Sequence, residues 1–530
     1  MIYALKLLTV VFVVTCIAAY VFRSAFRNIF SPAEYKRAWQ IVLLGVVASY
    51  LCHLPAIYLV AVAAIAIYGA NVTGRGPAGK AAIYLLLACT LPPISLKLGG
   101  FGGINYLLEL DDRRVTSILL LSWAAVEIVA AKPVQRTIRF LPVDLLVLAY
   151  QGLRFVLQMP HSNFTTLARI AVESTLDILL PYFVVTRGIR SMSDLRLVGG
   201  HLMIGIAFVA SVAVTEAVLQ HNLYSGLQGI YDVQWQHTYA LMRGSLIRVQ
   251  ATTSQPILLA FMLSFGIGLG YWLKDDWRRR PAVFALFAAI LLGEVATFSR
   301  GPWLATVVIV ITLAAMRRMS AAAFRVALVA LLLCGVGLKL ADADQQVVGA
   351  LGAIFGSDRA DIASIEYRRE LLDTSLALIK QSPWLGVPNY GAQMQSLVQG
   401  EGIIDIVNSY VAIMLDAGVV GLVLYLLPFA VVLNRLIAAI QRPARGAAEV
   451  GNRFAMAFAA LILSCLFAIL TTSTFGMVST LLTMLLALPT AWLGLSIEER
   501  NAAGARADLE LDIPDDPLRR HAAWAGGRLS

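Results

Sequence analysis

Fifteen apolar segments follow one another along the 530 residues, near 3–22, 38–53, 55–70, 81–97, 115–131, 143–159, 166–186, 196–220, 253–273, 282–298, 301–316, 322–340, 409–434, 452–475 and 477–497. Each approaches the roughly 20 residues that a helix needs to cross a hydrocarbon core. Inside that core, backbone N–H and C=O groups must be paired within the element itself, so such a chain is confined to a helix bundle. The expected fold class is all-α, a polytopic membrane helix bundle. Composition agrees: 14% of residues are charged, against about 25% in soluble domains.

The segment 38–70 reads as one long kinked helix or as two around His53-Leu54-Pro55, and charge chooses between them. With two helices, the loops 23–37, 71–80, 132–142, 187–196, 274–281, 317–325 and 435–453 and the tail after 497 share one side and hold 28 of the 42 Lys and Arg. Basic residues collect on the cytoplasmic side. That side is therefore assigned as cytoplasmic, the C-terminus with it, and the net charge of +10 reflects topology rather than a nucleic-acid surface. Tyr3 to Phe22 is read as a membrane helix and not a cleaved signal, because its apolar core is too long. The five cysteines all lie in apolar runs without a Cys-x-x-Cys pair and read as small core side chains.

Four regions follow: a transmembrane bundle over 1–340 with an outer loop at 221–252, an extracytoplasmic loop at 341–408, C-terminal transmembrane helices over 409–497, and a disordered cytoplasmic tail at 498–530. The 341–408 stretch is the only long polar interruption, with thirteen charged residues, nine of them acids. Within it, Asp361 to Lys380 has a helical period through Ile365, Leu372, Leu376 and Ile379, with Asp361 or Ser364 able to cap its start and Ser382-Pro383 ending it. Arg368 and Arg369 fall on the side of that apolar stripe, with Tyr367 beside them. They either snorkel to lipid phosphates or hold an anionic ligand.

Two further outer-face segments carry arginine. Thr297-Phe298-Ser299-Arg300-Gly301-Pro302-Trp303 puts Arg300 in a tight hairpin at a helix end, where a charge usually serves a site or pairs with an acid. Met242 to Ile257 brings Arg243 and Arg248 to the start of the next span. Arginine offers a rigid fork of donors suited to phosphate oxygens, so a membrane-anchored diphosphate is the expected ligand. Asp342-Ala343-Asp344 is read as loop solubility and no metal site is expected. Arg154, Glu173, Asp177, Glu216 and Glu294 lie in or near apolar runs, where Arg154 could pair with Asp177 or Glu173.

The S-R-G near mid-chain, the long outer loop and V-N-S-Y-x(5)-D-A-G-V-V-G-L (from Val407) together resemble the O-antigen ligase and Wzy-type polymerase superfamily. Thr175 to Phe183 and the R-V-Q-A-T-T-S-Q-P-I approach to a span extend the resemblance to roughly residues 166–475. It implies a fold like that of lipid-linked glycosyltransferases. It also implies transfer of a glycan from undecaprenyl diphosphate to an acceptor hydroxyl at the outer face of a bacterial inner membrane, without metal or cofactor. Membrane lipids, a flippase and chain-length or export proteins are the implied partners, and nucleic acid is not. Ligases carry a histidine where this chain has Val407; Asp405-x-Val407-Asn408-x-Tyr410 is closer to exopolysaccharide repeat-unit polymerases.

For such a transfer, Arg300 and Arg248 are the expected stabilisers of the departing diphosphate, with Arg243, Arg368 and Arg369 as further ligands. Asp405, then Glu401, is the expected base, with Tyr367, Asn408 and Tyr410 around the substrate. Asp405 or Asn408 could equally cap the following helix. Polymerisation is the first reading; ligase-type transfer to another acceptor and a non-enzymatic transporter or flippase of lipid-linked sugars are the alternatives.

Overall fold

A computed structural model describes residues 2–99, 106–131, 142–231, 241–243, 245–253, 255–274, 280–320, 322–326, 328, 359–398, 404, 406, 408–440, 447–474 and 476–495. The chain folds as a helical bundle. Helices α1 (Ile2–Val21), α2 (Pro32–Leu51), α3 (Pro55–Thr73) and α4 (Gly76–Thr90) lead into a two-stranded hairpin, β1 (Leu96–Gly99) and β2 (Tyr106–Leu110). Then come α5 (112–130), α6 (Pro142–Gln158), α7 (164–188) and α8 (Met192–Leu219), followed by the short ladder β3 (Met242–Arg243) and β4 (Leu246–Ile247). The chain continues through α9 (Pro256–Leu273), α10 (Arg280–Ala296), α11 (Arg300–Arg318) and α12 (Arg359–Gln381), and closes with α13 (Ser409–Ala439), α14 (Ala447–Ala468) and α15 (Met477–Gly494). Among the described residues, eight helices are long and apolar enough to cross a membrane.

Fourteen of the fifteen apolar segments fall on these helices; 322–340 lies mostly outside the described residues. The 38–70 segment is two helices. Pro55 has no N–H to give, so it stands at the first turn of α3 while Cys52 to Leu54 leave the helical conformation. In the polar loop α12 matches the expected helix, but it begins at Arg359, ahead of Asp361 and Ser364, which therefore do not cap it. Among the cysteines, Cys89 and Cys465 are core side chains, whereas Cys16 is on the outside of the bundle.

The core is built around α8, which packs on α4, α10, α9 and α1 and buries Leu202, Ile206, Phe208 and Val209. Small residues let these helices approach: a Cβ on Gly266 of α9 would stand 2.6 Å from Ile206 of α8. The helix ends segregate into two sets. At one end lie the ion pairs Arg75–Glu34, Lys80–Glu127 and Arg187–Asp144, with Trp272, Phe454 and Trp492 packed edge to face or tilted. At the other lie the hairpin, β3–β4, the 297–299 turn and the 469–474 segment. Arg154 pairs with Asp416 at 3.6 Å, not with Asp177 or Glu173. Those two acids instead clasp Arg114, each at 2.9 Å.

One helix differs sharply from the expected single span. α13 is broken at Gly418, whose φ of 62° and ψ of −162° suit glycine alone. Residues 382–387 fill the break: Val419 and Val420 donate to the carbonyls of Pro383 and Trp384, and Val387 donates to that of Leu415. Gly386, at φ +74°, makes the reciprocal approach. The polar loop is thus stitched into the kink, which sets 409–417 apart as a short helix of its own.

A Cβ at Gly418 would lie 2.3 Å from the Trp384 carbonyl group. Gly418→Ala should therefore cost about 3 kcal/mol or more. Gly476, at φ 59° and ψ −133°, is also in a conformation that suits glycine, but its nearest neighbour is 3.8 Å away, so as alanine it should cost backbone strain alone, about 1–3 kcal/mol, and less than Gly418. Thermal unfolding of the solubilised protein, followed by tryptophan fluorescence, checks the order. Equal melting temperatures for the two variants would contradict the stitched kink.

Candidate functional site

The turn joining α10 to α11 is held from outside itself. Phe298 adopts a left-handed φ of 49°, an unfavourable state for a bulky side chain, so the turn needs external support. Arg248 supplies it, donating from Nε to the Thr297 carbonyl and from an Nη to Ser299 Oγ, both at 3.0 Å. Arg243 donates to the Phe298 carbonyl at 3.1 Å, and Val249 N–H to that of Ala296 at 3.2 Å. The three arginines expected to share a site do converge here, but not in equal roles. Arg248 and Arg243 are engaged with the backbone and side chain of the turn. Arg300, half-buried, opens α11 on it.

The other residues of that motif are explained by contacts. A Cβ on Gly301 would fall 2.0 Å from Thr471 Oγ1, so glycine brings the turn against the 469–474 segment. Trp303 donates its indole N–H to the Glu294 carbonyl at 2.8 Å. The Glu294 side chain is buried; one oxygen accepts from Thr306 and the other has no hydrogen-bond partner among the described residues.

The segment carrying Arg243 and Arg248 is anchored by an acid that the sequence showed only as an intramembrane charge. Glu216, fully buried near the end of α8, accepts from the backbone N–H groups of Leu223, Gln250 and Ala251, each at 2.9 Å. Three orphan donors are satisfied by one carboxylate, which fixes both ends of the 221–252 loop. Ala251 takes a left-handed φ of 49° to reach it.

The end of the polar loop docks on the same region. Asn408 caps α13, its side-chain oxygen accepting from the N–H groups of Tyr410 and Val411, and Tyr410 donates its hydroxyl proton to the Leu466 carbonyl at 2.6 Å. Ser409 binds Ile469 and Thr472 through backbone and hydroxyl, and Ser473 reaches the Ile406 carbonyl. Asn408 and Tyr410, expected around the substrate, are therefore engaged in building the junction. Tyr367 is likewise engaged, donating to the Leu397 carbonyl at 3.0 Å. Arg369 is exposed, which corrects its expected place on the packed side of α12. Asp405, Glu401 and the side chain of Arg368 fall outside the described residues. Near the kink, burial pushes the Tyr390 phenol up to about 12, with Asp416 adding to the rise and Arg154 opposing it. It stands there as a neutral hydroxyl.

The arginine turn, the kink and the loop end all lie within one stretch of chain. Residues 285–426 match the O-antigen ligase family model. That family carries out glycan transfer of the ligase and polymerase type, in line with the superfamily that the sequence motifs resemble. No curated protein and no solved structure matches the chain.

Glu216 makes a testable link between burial and the site. Glu216→Ala leaves three buried N–H groups without an acceptor, at about 1–3 kcal/mol each, and frees the loop that carries Arg248. Limited proteolysis in membranes should then cut within 221–252 at least tenfold faster than in the wild type, with Glu216→Gln in between. Unchanged cleavage in Glu216→Ala would show that the loop is held by something else.

Proposed function

We propose that this protein is a polymerase of a bacterial inner membrane that joins undecaprenyl-diphosphate-linked oligosaccharide repeat units at the outer face. The observation that carries the reading is the arginine-supported turn at 297–299, whose neighbour Gly301 touches the 469–474 segment on which the loop end also docks; turn and loop end both lie in the family-matching region. Transfer breaks the bond between the anomeric carbon and a diphosphate oxygen, and negative charge grows on that oxygen. Arg300 is the group assigned to meet it. A pre-positioned cation needs no rearrangement as the charge develops. Arg248 and Arg243 act through the turn, keeping it in its strained conformation so that Arg300 is presented. Asp405, and next Glu401, remain the proposed acceptors of the proton from the attacking hydroxyl.

The outward orientation rests on the basic residues of the opposite loops. The site end then faces the compartment in which lipid-linked glycans are joined rather than the one in which nucleotide sugars are spent. Polymerisation is favoured over ligation by Val407, which stands where ligases have histidine. Flippases and chain-length or export proteins are the proposed partners.

Deleting the gene and analysing lipid-linked glycans tests the reading directly. Single repeat units should accumulate; polymer retained on the carrier would mean a ligase, and units trapped at the cytoplasmic leaflet a flippase. Arg300→Lys keeps the charge but loses the planar fork, so transfer should fall about a hundredfold or more at equal membrane levels. Full activity in Arg300→Lys would remove its diphosphate role, and full activity in Asp405→Asn would remove Asp405 as base. Orientation is checked separately. Trp277→Cys should resist impermeant thiol reagents in intact cells while cysteines placed in 221–252 react.

A further inference from the structure

The stretch Ser382-Pro383-Trp384-Leu385-Gly386-Val387-Pro388, which follows α12, is apolar in a loop that is otherwise polar. Its backbone is turned to α13. The carbonyls of Pro383 and Trp384 accept from Val419 and Val420, Val387 donates to Leu415, and Gly386 donates to Ser382 within the stretch itself. The two largest side chains are left outside: Trp384 is 68% exposed and Leu385 46%.

The surface beside them says what covers them. Val420, bonded to Trp384, begins an exposed apolar stripe that continues through Val423 and Leu427. Residues three and four apart share one face of a helix, and this helix is long and apolar enough to cross a membrane. Its outer stripe therefore meets lipid, and Trp384 stands at the head of that stripe. Gln158 Nε2 also donates to the Pro388 carbonyl, at 3.4 Å, which joins the stretch to the α6–α7 turn, where Met159 and Phe164 are exposed as well.

A length argument sets the level. After Asp416 the next charged residue is Arg435, exposed on the same helix. The rise from Val420 to Arg435 is about 22 Å at 1.5 Å per residue, against a hydrocarbon core about 30 Å thick. With Arg435 at one polar boundary, Val420 has not yet passed the other, and any tilt of the helix shortens the span further. Backbone at that depth must be paired, as the carbonyls of 383 and 384 are. Tryptophan suits the boundary, because its ring is apolar and its N–H is polar.

We propose that residues 383–388 form a lipid-binding wedge of the polar loop, with Trp384 and Leu385 seated among the glycerol and upper acyl groups of the leaflet on the loop side. Met159 and Phe164 lie alongside. The loop is thereby held to the bilayer at a point within its length and not only where it enters the spans. This holds whichever reaction the site performs.

The test is the depth of a nitroxide label on the full-length protein in phosphatidylethanolamine–phosphatidylglycerol nanodiscs. Leu385→Cys is labelled with Cys16, Cys52 and Cys334 replaced by alanine; Trp384→Cys reads the same place if the first variant does not insert. Val423→Cys marks the lipid-facing stripe, and Asp373→Cys marks the exposed side of α12. Relaxation of the label by oxygen is compared with relaxation by a water-soluble nickel chelate. The ratio of oxygen to nickel effect should be about tenfold higher at 385 than at 373, because the polar chelate is excluded from hydrocarbon. It should also lie nearer the value at 423. A ratio at 385 equal to that at 373 would place the wedge in water and overturn the proposal. A label at 385 reached by neither reagent would mean that protein covers it, and overturns the proposal equally.

Discussion

The architecture of the bundle end that carries the candidate site depends on pairing backbone groups where apolar helices stop. Within a span the helix satisfies itself, but each interruption releases N–H and C=O groups into a medium poor in water. Three interruptions meet here and each is answered by a specific partner. Carbonyls of the 297–299 turn accept from Arg248 and Arg243, N–H groups at both ends of the 221–252 loop donate to Glu216, and the break at Gly418 is filled by the backbone of 383–387. These solutions are interlocked, because Arg248 stands two residues before one donor to Glu216. The short helix after Asn408 in turn docks on the segment that touches Gly301.

This interlocking explains how a charged side chain can be retained in a hairpin. A lone arginine at a helix end would snorkel and be mobile. Arg300 instead starts a helix whose preceding turn is clamped and whose following glycine is pressed against Thr471. The left-handed conformation of Phe298 is offset by those contacts, which fix the backbone at the start of α11.

The apolar segments and their charged connections determined that this chain is a helical bundle with two chemically different ends. The reason is that span length and hydropathy are local properties. Pro55 likewise fixed the division of 38–70, since the missing N–H acts within one turn. The motif around Arg300 marked a turn on which Arg243 and Arg248 converge, and Gly418 within D-A-G-V-V-G-L is a local signal of a break. What residues 297–303 do individually could not be read locally. Whether Arg248 faces a ligand or a carbonyl, whether Asn408 touches substrate or caps a helix, and that Arg154 meets Asp416 and not Asp177, all depend on which helices become neighbours. Arg248 and Thr297 are 49 residues apart, and Arg154 and Asp416 are further apart still; packing brought each pair together, because hydrogen bonds reach about 3 Å in space and carry no record in sequence distance.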